Sequence, residues 1–520
     1  MRSILWILLC LTILSANVQG ENILGVFTSP GKSHLIIFMS TIQTMIERGH
    51  NVTVLTTIPI PNMKANDSKT FRHIHLSSLD LQPSEMSKQI SALVQETNFN
   101  NFVKTMQVMA NLQRNALRTE KFKQFLQENN TFDLMLLGYF GNDYLLGIGA
   151  HFECPVALIT LGGPAMGPIG KFIGNPDEIS YVPSPVLGIQ QPMNFLNRTK
   201  NFIINIVQTI AQHYLDYLMN GFYEEHFPKD KYPPLSSLQQ NVSIVLSNHH
   251  FSEGPIRPDV PAVVEIGGIQ INDKISKLPD HLSKFLDNAK NGAIFFSLGS
   301  TAKSSDLSPE TIKLFFNVLS KLPQKILWKW DDDEKTPGKS DNILFDKWLP
   351  QNDVLAHKHI QLFITHGGKG SVVESQYHGV PMVVIPLFGD QTFNAKEIEE
   401  KMYGISINHK TVTGEEFEKV VNEVLRNKKY LTNVKLFSEL YQDRPITAKE
   451  NAVFWMEYVI RHKGAHHLQS PAVHMNFVQL HNLDVIVVVV LLLLLLKLVI
   501  WKVFSCSWSY CKPKEKSKIQ

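Results

Sequence analysis

The sequence has few cysteines and almost no net charge, and both shortages exclude classes of protein. Only four Cys occur in 520 residues, so a small scaffold held together by disulfides is excluded. Lys and Arg number 50 and Asp and Glu number 47, which gives a net charge of +3. This near-balance excludes a nucleic-acid binder that depends on massed positive charge. With 44% hydrophobic residues, the chain can instead bury the cores of two or three domains.

Both ends of the chain carry long apolar runs. Residues 1–20 have a charged start, a short apolar core and small residues at the end, a pattern typical of a cleavable secretory signal peptide. A buried N-terminal helix is the alternative. Near the other end, Val485–Leu496 is an unbroken run of Val, Ile and Leu. Twelve helical residues cover only about 18 Å of a bilayer core of about 30 Å, so we expect the transmembrane helix to extend over 484–504.

The charge around this run predicts the orientation. The tail, residues 505–520, is rich in Lys, so the positive-inside rule places it in the cytosol and residues 21–483 in the lumen of a type I membrane protein. Lys516 and Lys518 resemble a dibasic retrieval signal of the endoplasmic reticulum, although a generic basic tail is the alternative.

Sequence motifs for N-glycosylation agree with a lumenal body. Five Asn-x-Ser/Thr triplets, all on the lumenal side, lie at Asn51, Asn66, Asn129, Asn197 and Asn241. Asn51 lies in a strand-like segment, so we expect it to be buried and unmodified.

Between the ends, strand and helix patterns alternate in two series. The apolar runs are continuous, which is typical of buried parallel sheets. We therefore predict an α/β protein with two Rossmann-like, doubly wound domains facing a cleft. The predicted boundaries are 21–250 for the N-terminal domain, 251–285 for a linker, 286–445 for the C-terminal domain and 446–483 for a C-terminal helix and juxtamembrane segment.

The most informative stretch begins at Phe363 and ends at Gln391. It predicts a strand, a glycine turn and a helix N-terminus, where free N–H groups and the helix dipole favour an anion. His366 lies beside the turn and can donate to a phosphate. Glu374, about one turn into the helix, can accept from a ribose diol. Asp390 and Gln391 offer acceptor and donor groups for sugar hydroxyls.

Taken together, this stretch resembles the donor-binding signature of the UDP-glycosyltransferases, and the resemblance covers essentially the whole chain, with the insect members nearest in character. It implies the GT-B fold, with the acceptor bound by the N-terminal half and the UDP-sugar by the C-terminal half. The implied donor residues are Trp348 and Gln351 at uracil, Ser300, His366, Gly368 and Ser371 at phosphate, Glu374 at ribose, Asp390 and Gln391 at the sugar, and Arg257 as a compensating charge. As alternatives, Trp348 is a core residue, Ser300 a helix cap and Arg257 part of a linker salt bridge.

The resemblance also implies a catalytic histidine, and His34 stands at its position. An imidazole with an ordinary pKa near 6.5 suits general-base work, although a helix cap is the plain alternative. We expect inversion by direct displacement without a metal. The acidic partner of the family is absent, because Gly138 occupies its position. Asp143 is the nearest substitute, unless it caps the next helix.

The sequence thus predicts a hexosyltransferase that conjugates small lipophilic acceptors, with a UDP-sugar as co-substrate and no permanently bound cofactor. UDP-glucose is favoured over UDP-glucuronate. The alternative, because of Gly138, is a catalytically weak UDP-sugar-binding subunit that modulates active relatives. We expect the lipid bilayer to be a partner and nucleic acid not to be one. Assembly of the chain with a second copy or with relatives is left open.

Overall fold

The computed structural model describes residues 20–29, 31–60, 70–76, 99–162, 169–272, 274–299, 307–331, 336–387 and 389–511. The predicted signal peptide up to residue 19, Ser300, Asn66 and the basic tail from residue 512 lie outside these residues. The chain divides into two compact units, one up to Gln469 and one from Ser470.

The first unit contains two parallel sheets. The seven-stranded sheet has the order β3-β2-β1-β4-β5-β6-β7. Its strands are β1 (Asn22–Phe27), β2 (Asn51–Thr56), β3 (Phe71–His75), β4 (Leu134–Gly138), β5 (Val156–Thr160), β6 (Val242–Ser247) and β7 (Val263–Glu265). Its central strands are apolar on both faces because helices cover both sides.

The six-stranded sheet has the order β10-β9-β8-β11-β12-β13. Its strands are β8 (Ala293–Ser297), β9 (Lys325–Lys329), β10 (Ile343–Asp346), β11 (Ile360–Thr365), β12 (Met382–Val384) and β13 (Gly404–Ser406). Both sheets reverse their strand order once, between β1 and β4 and between β8 and β11. Ligands of doubly wound sheets bind at such reversals, beyond the carboxyl ends of the strands.

The helices follow the strands along the chain. In the described residues they are α1 (Lys32–Glu47), α2 (Phe99–Leu117), α3 (Glu120–Gln127), α4 (Leu146–His151), α5 (Gly170–Ile173), α6 (Phe195–His226), α7 (Leu235–Gln239), α8 (Asp280–Asp287), α9 (Pro309–Leu319), α10 (Gln351–Leu355), α11 (Lys369–Tyr377), α12 (Gln391–Glu400), α13 (Gly414–Arg426), α14 (Lys428–Gln442), α15 (Ala448–Arg461), α16 (Phe477–Leu480) and α17 (Leu483–Cys511).

Two segments differ from their expected roles. The segment expected as a linker, 251–285, supplies β7, an edge strand of the first sheet, and the start of α8. Helix α15 lies in the segment 446–483, which was expected to form a separate C-terminal helix and juxtamembrane segment. It packs its apolar face into the core of the first sheet through Ala452, Met456 and Val459. The chain therefore returns to the N-terminal half after it completes the second sheet.

The expectation that Asn51 is buried is wrong. Asn51 is the first residue of β2 and is exposed, because the strand begins there at the rim of the sheet. Its amide nitrogen donates to Asn22 Oδ1 over 3.1 Å.

The second unit carries α17. Within its segment Leu483–Trp508, an 18-residue window has a mean hydropathy of 3.2, and none of that window is buried. Twenty-six helical residues are about 39 Å long, enough to cross a bilayer core. Among the described residues this is the one helix long and apolar enough to span a membrane, and it contains the predicted span 484–504.

Candidate functional site

A serine and a histidine meet where the first sheet reverses its strand order. Ser29 follows the carboxyl end of β1, and His34 lies in the first turn of α1. The chain turns back between them, and Ser29 Oγ lies 2.5 Å from His34 Nδ1. Ser29 is 2% exposed, so its hydroxyl is held in place. Because Nδ1 is occupied, Nε2 is the ring nitrogen that remains for a substrate proton.

The surroundings of His34 keep its imidazole neutral. The ring lies 5.0 Å from the Phe140 ring, centroid to centroid. Burial lowers the pKa of His34 to about 4. Removal from water disfavours the imidazolium, so at neutral pH the side chain is an unprotonated base.

The packing around Gly138 explains why no carboxylate stands there. A Cβ at this position would lie 2.7 Å from the ring of Phe38 and 2.9 Å from the ring of Phe27. These two rings stack on each other in the core of the first sheet. The position therefore accepts glycine alone without rearrangement, and an aspartate has no space.

Asp143 is not the substitute partner that the sequence suggested. Its buried carboxylate forms an ion pair with Lys171 and accepts a hydrogen bond of 2.6 Å from Gln239. It caps no helix either, because the short helical turn at this point has no side-chain cap. Among the described residues, its partners thus lie in the N-terminal core and do not include His34.

The glycine turn after β11 has the local geometry that the sequence predicted, a strand, a glycine turn and a helix N-terminus. Gly367 has a φ of +82°, which favours glycine, and Gly368 is the N-cap of α11 with no side-chain cap. The first N–H groups of α11 are therefore open to a ligand. The His366 ring fits closely between two glycines, since a Cβ at Gly299 or at Gly368 would lie 2.5 Å from it.

Lys329 adds positive charge beside His366. Burial and the nearby Lys329 ammonium lower the pKa of His366 to about 4, so it is a neutral N–H donor at neutral pH. Lys329 ends β9, and its Nζ donates to Gly299 O over 2.5 Å. Burial lowers the pKa of Lys329, the Asp331 carboxylate acts to raise it, and the charge of Lys32, at the start of α1, acts to lower it. A lysine from each half thus contributes positive charge in this region, which favours an anion.

Three predicted donor residues are brought together at the start of α11. Gln351 Nε2 donates to Glu374 over 2.6 Å and to Ser371 Oγ over 3.1 Å. Burial raises the pKa of Glu374 to about 7, although the hydrogen bond from Gln351 acts to lower it. A carboxylate held in this way is a strong acceptor for vicinal hydroxyls.

The remaining C-terminal residues differ in their accessibility. Trp348 is 63% exposed and so is available for stacking, and Lys329 Nζ lies 5.8 Å from its ring centroid. Asp390 accepts a hydrogen bond from Asn394 over 2.7 Å. Gln391 is buried, and its Oε1 accepts from the Leu387 N–H over 2.7 Å, so it also fixes the loop before α12.

Arg257 is engaged in its own ion pairs. Its guanidinium lies 3.2 Å from Asp259 and 3.8 Å from Glu265, and contacts to the donor turn are absent among the described residues. The salt-bridge alternative is therefore what the structure contains. The same loop does reach the turn through Glu253, whose carboxylate lies 3.0 Å from Lys369 Nζ.

Sequence reasoning missed three of these residues. Ser29 carried a usable signal, because it is a hydroxyl in the turn five residues before His34. Lys329 ends an apolar strand, as donor-site residues of parallel sheets do. Glu253 carried no signal, because its pairing with Lys369 depends on how the two halves pack.

A family model agrees with this geometry. The model described as UDP-glucoronosyl and UDP-glucosyl transferase matches residues 25–518. The chain belongs to this family of UDP-glycosyltransferases. It is therefore a UDP-dependent hexosyltransferase, an enzyme that transfers a sugar from a UDP-sugar to an acceptor, as the sequence predicted.

Relatives of this family are known in insects and mammals. UDP-glycosyltransferase UGT5 of Dactylopius coccus is 32% identical over 493 residues, which cover 92% of this chain and 91% of the relative. UDP-glucosyltransferase 2 of the same insect is 30% identical, covering 93% and 92%. UDP-glucuronosyltransferase 1A6 of Mus musculus is 31% identical, covering 91% and 89%.

Solved structures confirm the GT-B fold. A UDP-glucosyltransferase from Polygonum tinctorium superposes with a TM-score of 0.54 at 17% identity, covering 86% of this chain and 99% of that one. The glycosyltransferase SnogD from Streptomyces nogalater has a TM-score of 0.54 at 16% identity, covering 85% and 99%.

Proposed function

We propose that this transferase moves a hexosyl group, glucose in preference to glucuronate, from its UDP-sugar to the hydroxyl of a small lipophilic acceptor, with His34 as general base. The observation that carries the proposal is the close pairing of Ser29 with His34 at the carboxyl end of β1. This pair lies where the first sheet reverses its strand order. The glycine turn after β11 lies at the corresponding reversal of the second sheet.

The proton takes a defined route in this proposal. His34 carries its hydrogen on Nδ1 and donates it to Ser29 Oγ, which leaves the lone pair of Nε2 for the acceptor hydroxyl. As that hydroxyl oxygen attacks the anomeric carbon, its proton passes to Nε2 and the bond from carbon to the UDP oxygen breaks. Attack opposite the leaving group inverts the anomeric centre. Ser29 acts as a positioning residue, because its hydrogen bond to Nδ1 holds the ring in place.

The leaving diphosphate is stabilised without a step through a metal. Its developing charge meets the first N–H groups of α11, the neutral His366 donor and the two cations Lys329 and Lys32. In the same proposal, Trp348 stacks on uracil, Ser371 and Ser300 contact phosphate, and Glu374 with Gln351 holds the ribose. Asp390 and Gln391 hold the transferred sugar, and Arg257 orders its own loop.

Donor and acceptor are inferred from general features. The printed names of the relatives include both glucosyl- and glucuronosyltransferases at about equal identity. Glucose is preferred because of the likeness to insect members, and lipophilic acceptors suit an enzyme tethered to a bilayer. We infer a single-pass protein of the endoplasmic-reticulum membrane with a lumenal body and a cytosolic tail.

One observation favours a second candidate function. Ser29 is neutral, so it cannot stabilise the imidazolium that forms when His34 accepts a proton. A weak enzyme that binds UDP-sugar and modulates active relatives is the resulting alternative.

Product analysis distinguishes the two functions. Microsomes that express the full chain are incubated with each UDP-sugar and a panel of phenols, and products are identified by mass. Glucosides formed only with the expressed chain support the transferase. UDP binding with no product across the panel would support the modulating subunit, and glucuronides alone would contradict the donor assignment. Microsomes without the chain provide the control.

A further inference from the structure

Three buried polar side chains form a hydrogen-bond network in the N-terminal half, close to the proposed base. They are Thr28, directly after β1, Gln113, on α2, and Asn142, in the turn after β4, and none is more than 1% exposed. The Thr28 hydroxyl donates to Gln113 Oε1 over 2.7 Å, and Asn142 Nδ2 donates to the same oxygen over 3.0 Å. We call these three residues the Gln113 network.

One end of the network fixes the turn that carries Phe140. Asn142 Oδ1 accepts from the Phe140 N–H over 3.0 Å, and Asn142 Nδ2 donates to Gly138 O over 3.1 Å. Gln113 Nε2 donates to Phe140 O over 3.4 Å. Both backbone polar groups of Phe140 are thus held by the network, and its ring lies 5.0 Å from the ring of His34, centroid to centroid.

The other end of the network lies beside Ser29. Thr28 directly precedes Ser29, whose Oγ lies 2.5 Å from His34 Nδ1. The Thr28 backbone is held as well, because its carbonyl accepts from Thr57 Oγ1 over 2.9 Å. The network therefore connects the two side chains that contact the His34 ring, a hydroxyl on one segment and an aromatic ring on another.

The polar character of this place requires an explanation, because buried amides and hydroxyls are costly unless they are hydrogen-bonded. Every side-chain nitrogen and oxygen of the three residues has a partner. A fully satisfied buried network specifies one rigid arrangement. Rigidity matters here because Ser29 offers the imidazole a single neutral hydrogen bond and Gly138 offers no carboxylate.

We propose that Thr28, Gln113 and Asn142 are positioning residues of this transferase. They hold Ser29 and Phe140 in place and thereby fix the orientation of the His34 imidazole, a task that the acidic partner of the family was expected to perform. Because all three are fully buried, they act through His34 and not by contact with a substrate. The inference rests on the proposed function, in which His34 is the general base.

Kinetics of the full chain in microsomes give the first test. Gln113→Met keeps the shape of the side chain and removes both amide groups. We expect its kcat to fall about tenfold to a hundredfold, since displacing a reacting group by about 1 Å can cost about a hundredfold. The Michaelis constant for the UDP-sugar should not change, because the donor residues lie in the other half.

A milder pair of variants keeps the test valid if Gln113→Met does not fold. Thr28→Val loses one hydrogen bond, so we expect kcat to fall about threefold to tenfold. Thr28→Ser keeps the hydroxyl and should restore the rate. Thr44→Val is the matched control, because it removes another buried hydroxyl of the N-terminal half, one that bonds only within α1. Its kcat per folded molecule should equal that of the unchanged chain.

The reactivity of His34 gives a second readout that does not depend on catalysis. Diethyl pyrocarbonate acylates unprotonated imidazole nitrogens, and mass spectrometry of the peptides reports the rate at each histidine. We expect His34 to react faster in Gln113→Met and Thr28→Val, because a ring that is no longer held exposes Nδ1 as well as Nε2. The exposed His281 should react equally fast in all variants.

Three outcomes would overturn the proposal. A kcat in Gln113→Met and Thr28→Val equal to that of Thr44→Val would mean that the network does not serve catalysis. A lower kcat with an unchanged rate at His34 would mean that it acts through another group. A lower melting temperature with both readouts unchanged would mean that it only stabilises the fold. If His34→Ala kept its kcat, the proposed base would be wrong, and the acylation rate of His34 would still decide whether the network holds the ring.

Discussion

Ser29 Oγ lies 2.5 Å from His34 Nδ1, while Gly138 occupies the position at which this family is expected to provide a carboxylate. The hydroxyl is uncharged, so it can orient the imidazole but cannot compensate a charge that forms on it. In the proposed mechanism Ser29 therefore orients the imidazole of His34 without the electrostatic assistance of an acid partner.

Loss of this hydroxyl tests its positioning role. Ser29→Ala removes one neutral hydrogen bond worth about 1 kcal/mol, so we expect kcat to fall about threefold to tenfold. The Michaelis constant for the UDP-sugar should not change, and Ser29→Thr should restore most of the rate. Ser33→Ala, an exposed serine next to His34, is the matched control. A kcat for Ser29→Ala equal to that of the control would remove Ser29 from the mechanism.

An aspartate introduced at Gly138 should not increase turnover. Gly138→Asp drives a side chain into Phe38 and Phe27, and overpacking of this kind costs about 1–3 kcal/mol. We expect a lower melting temperature and no gain in turnover, contrary to a simple expectation that a carboxylate here would raise it. Gly221→Ala, whose Cβ meets nothing within 4 Å, is the control for glycine replacement. Faster turnover with an unchanged melting temperature would show that the rings of Phe38 and Phe27 move aside, and would contradict this prediction.

We expect Lys329 and His366 to make separate contributions to UDP binding. We expect His366→Ala and Lys329→Ala each to weaken UDP binding about tenfold to a hundredfold, because each removes a hydrogen bond to a charged group worth about 1.5–3 kcal/mol. Gln391→Ala should instead change the preference among UDP-sugars and leave UDP bound. Calorimetric titration with UDP measures all three, with the exposed His281→Ala as control. If Gln391→Ala lost as much UDP affinity as His366→Ala, the proposed separation between UDP-binding and sugar-binding residues would be wrong.

Buried histidines should make the fold sensitive to acid. Burial, with Arg444 nearby, lowers the pKa of His250 to about 4, below the value near 6.5 in an unfolded chain. Between pH 4 and 6.5 the unfolded state therefore binds more protons, so stability rises with pH across this window and is lost on acidification. His250→Phe, between the rings of Phe251 and Tyr441, should flatten the dependence of melting temperature on pH relative to His281→Phe. An unchanged slope would contradict the assignment.

The sequence predicted the centre of the fold better than its edges. Strands β1, β4, β8 and β11, at the centres of the two sheets, carry the apolar runs from which parallel sheets were predicted. The edge strands β7 and β10 carry a weaker pattern, since they are only three and four residues long and each ends in an acidic residue.

The donor site was more predictable than the catalytic pair. Ser371 and Glu374 lie in the Phe363–Gln391 stretch and Gln351 begins α10, the helix just before β11, so their meeting follows from the topology. The role of Asp143 depends on its pairing with Lys171, which lies in the short helix α5 and leaves no local sequence pattern.

The central claim is that His34 removes the proton of the acceptor. The most direct measurement is kcat for His34→Ala with the best UDP-sugar and phenol, alongside UDP affinity and Asp143→Asn as a buried-carboxylate control. Loss of a general base predicts a kcat lower by about a hundred- to ten-thousand-fold with UDP binding unchanged, while Asp143→Asn retains its kcat per folded molecule. Rapid turnover that survives His34→Ala would contradict the account.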